Sequence, residues 1–165
     1  MNTTELSSAY QRLYAAAVAI SERTPLSAEH RADVDWTLCH VALSDHLLAD
    51  AAHSILDHKT RSAANLVVNN QSAMDPAAIA AMTTTTSHLE RTATVRRHAT
   101  QLLTLLDEMP DDAAQVPLTL QLHDRTGQHA SDTELTWGDL IELRGHQHIP
   151  AHADRLHSYL TDHTP

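Results

Sequence analysis

Fourteen of the 165 residues are histidine, and their positions decide whether they carry chemistry. His148 and His152 stand four residues apart. On a helix that spacing puts both imidazoles on one face, one turn apart. Both can then reach one divalent ion at about 2.0–2.1 Å. Among so many histidines such pairs also arise by chance, so burial has to decide. His148 and His152 share a face with Trp137, Ile141 and Arg144, which points them inward. A buried imidazole needs partners for both nitrogens. His46 lies midway along the most apolar helical segment and needs a partner as well. Three inward histidines from two helices can satisfy one another through a metal. The plainer alternative is three half-buried histidines bonded to backbone or carboxylates.

The other candidates carry weaker signals. His40 precedes His46 by one and a half helical turns, so with His46 inward His40 is expected at solvent or at a neighbouring helix edge. His146 diverges from His148 in the same way. His53, His58, His88, His98, His123, His129, His157 and His163 are read as mostly solvated. Asp45 reads as an outer partner of a histidine or as a solvated residue. Arg144, one turn before His148, is either an anion-binding group for a substrate or one half of a salt bridge. Cys39 sits among apolar residues, the setting of an inert packing thiol. Glycine-rich phosphate loops and serine-nucleophile elbows are missing from the sequence.

Four helical segments must position these groups. The first runs from about Thr4 to Glu22, with Leu6, Tyr10, Leu13, Ala17 and Ile20 at helical spacing, and Pro25 beyond its end. Ser27 and Glu29 read as the entry to a short turn. The second helix runs from about Asp33 or Asp35 to His58. A loop through Asn69-Asn70-Gln71 leads to a third helix that starts at Asp75-Pro76, carries Ile79 to Leu106 and stops at Pro110. Its Thr83–Thr86 stretch is a weak point where a bend is expected. Val116, Leu118, Leu120 and Leu122 then alternate as a strand does, and a turn at Asp124–Gly127 leads to a short second strand at about 128–131. Thr136 to Asp139 resembles a capping box that opens the last helix. Pro150, between the two histidines, either kinks that helix or restarts it.

Composition agrees with helix packing. Apolar residues make up 42% and aromatics only 3%, with no phenylalanine and three glycines, so the core is built from Leu, Ala, Val, Ile and Met. The formal net charge of −10 argues against nucleic acid and against an anionic membrane surface as partners. A single cysteine excludes an internal disulfide. No signal peptide is evident and no apolar run approaches a membrane span, so a cytoplasmic location is expected. Residues 1–165 read as one domain.

Two stretches resemble the DinB/YfiT-like family. Trp36-Thr37-Leu38-Cys39-His40-Val41-Ala42-Leu43-Ser44-Asp45-His46-Leu47 is similar to its second-helix signature, a Trp-Thr start followed by a His-Leu pair. Thr136-Trp137-Gly138-Asp139-Leu140 with His148-Ile149-Pro150-Ala151-His152 resembles its last helix. The resemblance implies a mainly α fold, a four-helix bundle with a small β-hairpin insertion before the last helix. It also implies a divalent metal on His46, His148 and His152: zinc first, with nickel or iron as alternatives. The spacing from Trp36 to His46 is slightly longer than the family pattern, which leaves His40 as the alternative in a shifted register.

Family members include thiol-dependent transferases and isomerases that use mycothiol, bacillithiol or glutathione. The resemblance therefore implies a metal-dependent transferase or isomerase acting on a small electrophile, with a low-molecular-weight thiol as cosubstrate. A hydrolase or cyclase, or a non-catalytic metal- or ligand-binding stress protein, is the alternative. Bundles often bury an outer helical face, so a homodimer is a further expectation.

Overall fold

The computed structural model describes residues 3–21, 23–57 and 66–161. It is mainly helical, with one three-stranded sheet. Helix α1 (Thr4–Ala19) presents Leu6, Ala9, Tyr10, Leu13, Ala16 and Ala17 to the core. The expected end at Glu22 lies outside the described residues. Helix α2 (Ala28–Leu56) starts earlier than expected. Ser27, at the place read as a short turn, is its N-cap: its Oγ accepts from the His30 amide at 3.1 Å and satisfies a first-turn donor. The expected end at His58 also lies outside the described residues.

The loop expected around Asn69–Gln71 is ordered structure. Strand β1 (Leu66–Asn69) is followed by a single turn, α3 (Gln71–Met74). The long third helix is broken in two, α4 (Pro76–Thr85) and α5 (His88–Glu108). The break falls where β-branched residues weaken the helix. The hydroxyls of Thr83, Thr84, Thr85 and Thr86 all donate back to carbonyls one turn earlier, at 2.6–2.9 Å, a pattern that bends helices. A capping box of Ser87 and Glu90 restarts the chain as α5. Buried Arg91 closes the break: it donates to the Thr83 and Thr86 carbonyls and reaches Asp35 of α2 at 2.6 Å.

After a 3₁₀ turn (Asp111–Gln115), strand β2 (Pro117–His123) pairs parallel with β1 and antiparallel with β3 (His129–Thr136). The sheet order is β1-β2-β3, and β3 runs five residues past the expected Ser131. In the connecting turn, Gly127 adopts a positive φ of 78°, which a side chain would strain. The turn leans back onto the helices. Arg125 pairs with Asp33 of α2 at 2.9 Å and lies 3.8 Å over the Trp36 ring.

The last helical run has three parts. Thr136 and Asp139 form the expected capping box in front of α6 (Trp137–Leu143). A π-helical turn follows (Arg144–His148), then α7 (Ile149–Thr161). Pro150 explains the π turn. It has no N–H for the His146 carbonyl, and its ring crowds that group. The chain widens the preceding turn instead, so that the Ile149 N–H bonds the Arg144 carbonyl five residues back. The helical run continues through the proline without a break.

Helix α1 packs on α7 and α5, and α2 packs on α5. Buried apolar residues from all these helices and from β1 and β2 form one cluster. Among the described residues no helix is long and apolar enough to cross a membrane.

Candidate metal centre

His40, His148 and His152 converge. Each offers a ring nitrogen, and the three nitrogens lie within 4.8 Å of one another. His40 Nε2 and His148 Nε2 are 3.1 Å apart. Two ligands at about 2.0–2.1 Å from one ion stand roughly 2.8–3.4 Å apart at octahedral to tetrahedral angles, so the spacing of this pair fits a shared ion. The ring centroids of His148 and His152 are 4.7 Å apart, and both stand 5.3 Å from His40.

His46 is not part of this group. Six residues of α-helix turn the chain by about 240°, so α2 cannot present His40 and His46 to the same side. His40 is 5% exposed. The His46 side chain is 56% exposed, 3.8 Å from Asp50, with its ring tilted beside that of His98 at 5.4 Å. The two residues face apart as the sequence implies, but it is His40 that is buried and His46 that is exposed. Helix α2 buries residues nearly all round, among them Val34, Leu38, Val41, Ala42, Leu48 and Ile55, so its apolar pattern selects no face. One local signal was available: Trp36 and His40 are four apart, and their rings stack at 4.7 Å.

The elements around the cluster fix each ring. His40 Nδ1 donates to the Ala73 carbonyl at 3.0 Å. That carbonyl belongs to α3, which the sheet holds in place: the Asn70 amide donates to Gln121 of β2 at 3.1 Å, and Asn70 Oδ1 accepts from the His123 amide at 2.7 Å. Strand β1, read as loop, thus fixes the outer partner of a candidate ligand. With its Nδ1 proton anchored, His40 turns its Nε2 lone pair toward His148, the tautomer in which an imidazole binds metal through Nε2.

His148 is oriented by Arg144. Arg144 Nη1 lies 3.2 Å from His148 Nδ1. A guanidinium only donates, so Nδ1 accepts, and the neutral ring carries its proton on Nε2. Without an ion the bonds therefore run in one direction, from Arg144 to His148 to His40 to the Ala73 carbonyl. A divalent ion held by His40 and His148 would take the place of the proton between them; His148 would then carry its proton on Nδ1, and Arg144 Nη1 would have to turn aside.

Arg144 itself is held in a buried ion pair. It is 5% exposed and Asp45 is fully buried. Arg144 Nε donates to Asp45 Oδ1 at 3.0 Å and to the Tyr10 hydroxyl at 3.1 Å; Nη2 donates to Ser44 Oγ at 3.1 Å and to Asp45 Oδ1. The Tyr10 hydroxyl also donates to Asp45. Of the two readings of Arg144, the salt bridge is the one realised. Asp45 acts on the histidine only through the arginine. Burial pushes the Asp45 carboxyl above its ordinary range, against the pull of Arg144 and Tyr10.

Burial favours the neutral form of all three imidazoles. Burial pushes His40 down to about 4, with the Arg144 and Arg125 cations adding to it against the bond to Ala73. Burial, His40 and Arg144 take His152 to about 3. His148 is driven further down by burial and then by Arg144. Neutral imidazole is the form that binds metal. Trp36 walls the cluster between Arg125 and His40, 6.5 Å from the His152 ring. Neither Trp36 nor Arg125 was singled out from the sequence as part of the site. Cys39 is buried, and burial raises its thiol pKa, as its packing role implies.

No family model, curated protein or solved structure matches the chain.

Proposed function

We propose that this chain is a metal-dependent enzyme of small-molecule thiol chemistry, with His40, His148 and His152 as the metal ligands. Its long helices would then form a DinB-like four-helix bundle, with the β2–β3 hairpin as an insertion before the last helix and β1 added to it from the segment after α2. The observation that carries the reading is the convergence of three neutral imidazoles from two helices, one of them locked by a backbone carbonyl. Three nitrogen donors leave coordination positions open on zinc, with nickel and iron also suited to imidazole. A bound divalent cation would lower the pKa of a small thiol and stabilise its thiolate.

The protein's own groups have distinct tasks. His40 is preset by Ala73. Arg144, carried by the π turn, orients His148 and must yield to a ligand there. Trp36 excludes water from one side. A hydrolase needs a general base beside the metal. The convergent group of described residues contains no carboxylate, and Asp45 is engaged by Arg144. Transfer or isomerisation through a thiol therefore fits the donor set better than water activation.

The test is turnover of a small electrophile, such as a maleyl or chloro-aromatic compound, by zinc-loaded protein with and without a low-molecular-weight thiol. Thiol-dependent turnover that His40→Ala abolishes supports the reading. Bound metal with no thiol-dependent turnover moves the protein to the class of non-catalytic metal binders.

A further inference from the structure

Between the sheet and the helices lies a pocket of about 250 Å³ that opens directly on the histidines. His40 and His148 belong to its lining. Leu48, Val68, Leu120, Leu122, Leu140 and Leu143 supply most of the remainder. The few other polar groups in the wall are engaged. Ser44 Oγ accepts from Arg144 and donates to the Val41 carbonyl; Asn70 is bonded to His123; Arg144 is paired with Asp45. An ion held by His40 and His148 would therefore be the one unengaged polar group in the wall.

Charge fixes the character of the ligand's head. Three neutral imidazoles bring no negative charge to a divalent ion. Asp45 is neutralised by Arg144, and Asp33 by Arg125 and Arg155. A bound cation keeps its positive charge in the wall of an apolar pocket, where the low dielectric strengthens its attraction for an anion.

We infer that the site's ligand is a small amphiphile, one anionic donor atom on a compact hydrocarbon body, with the donor at the His40–His148 edge and the body in the leucine-lined pocket. At about 30 Å³ per group, near the share of a water molecule, the pocket holds a body of roughly eight non-hydrogen atoms. The inference rests on the metal reading above and deepens it by naming the substrate class.

Ethanethiol, butanethiol and hexanethiol are the probes. They are titrated into cobalt-loaded protein, where thiolate ligation is read from charge-transfer absorption, and into metal-free protein, where the leucine methyl resonances are read. The expected result is a thiolate band whose affinity rises about fourfold per methylene, the transfer value for a buried CH₂. Leu122→Trp, which fills the pocket from a partly exposed position, should weaken hexanethiol at least tenfold and leave ethanethiol within twofold. Affinity independent of chain length in cobalt-loaded protein would overturn the inference and leave the metal reading standing. Chain-dependent methyl shifts with no cobalt band would support the pocket's occupant and remove the metal. Neither band nor shifts would overturn both.

Discussion

Replacing Arg144 with methionine should strip a buried carboxylate of its only charged partner. In the native protein Asp45 Oδ1 receives Arg144 Nε, Arg144 Nη2 and the Tyr10 hydroxyl, while Asp45 Oδ2 has no partner. Arg144→Met leaves only the tyrosine. Breaking a buried ion pair from one side costs about 3–5 kcal/mol, a large share of the ~5–15 kcal/mol that holds a typical domain. With a urea slope near 2 kcal/mol/M, the midpoint should fall by about 1.5–2.5 M at pH 7.5. The pH dependence identifies the cause. Burial already raises Asp45, and losing Arg144 raises it further. The deficit is then largest above that raised pKa and shrinks as pH falls through it, because the folded variant takes up the proton. The triple variant Tyr10→Phe, Asp45→Leu, Arg144→Met removes the charges together and should recover most of the loss, since apolar replacement of a buried ionic group is often near neutral. A loss under about 1 kcal/mol, or a deficit unchanged between pH 7.5 and 5, would refute the reasoning.

Other perturbations reach different parts of the account. In metal-free protein His40 and His152 are held down to about 4 and about 3, and His148 is also lowered, whereas the unfolded chain protonates them near 6.5. The stability these groups contribute is complete above about pH 6.5 and is lost as pH falls toward the folded values, at up to about 1.4 kcal/mol per pH unit for each histidine. Urea midpoints taken in chelator from pH 7.5 to 4.5 should fall steeply, and a flat profile would contradict the burial of the cluster. A Cβ on Gly145 would stand 3.2 Å from the Leu6 amide nitrogen and 3.3 Å from its Cα. Backbone cannot swing away as a side-chain end can, so Gly145→Ala should cost about 1–3 kcal/mol of overpacking, read from the same urea transition.

The fold was legible where local chemistry is strong. Thr136 and Asp139 mark the start of the last helix in sequence as in structure, and the threonine run marks the break between α4 and α5. The alternation of Leu118, Leu120 and Leu122 marks β2. Strand β1 was not legible. Four residues pair parallel with a strand some fifty positions later, and nothing local in Leu66–Asn69 announces that partner. The π turn was half legible: Pro150 signals an irregularity, but only tertiary packing decides that the chain widens instead of kinking.

The site divides in the same way. His148 and His152 lie on a helix with one buried face, where spacing and burial agree. Their partner lies on α2, which is buried nearly all round, so hydrophobicity could not choose between His40 and His46. The choice depends on α3 and the sheet, which bring the Ala73 carbonyl to His40.

The measurement that tests the central claim most directly is metal content, by mass spectrometry, of tag-free protein beside His40→Ala and His46→Ala. The account predicts close to one divalent ion per chain in the parent and in His46→Ala, and loss of the ion in His40→Ala. Metal lost from His46→Ala and retained by His40→Ala, or no metal in the parent after reconstitution with zinc, would contradict it.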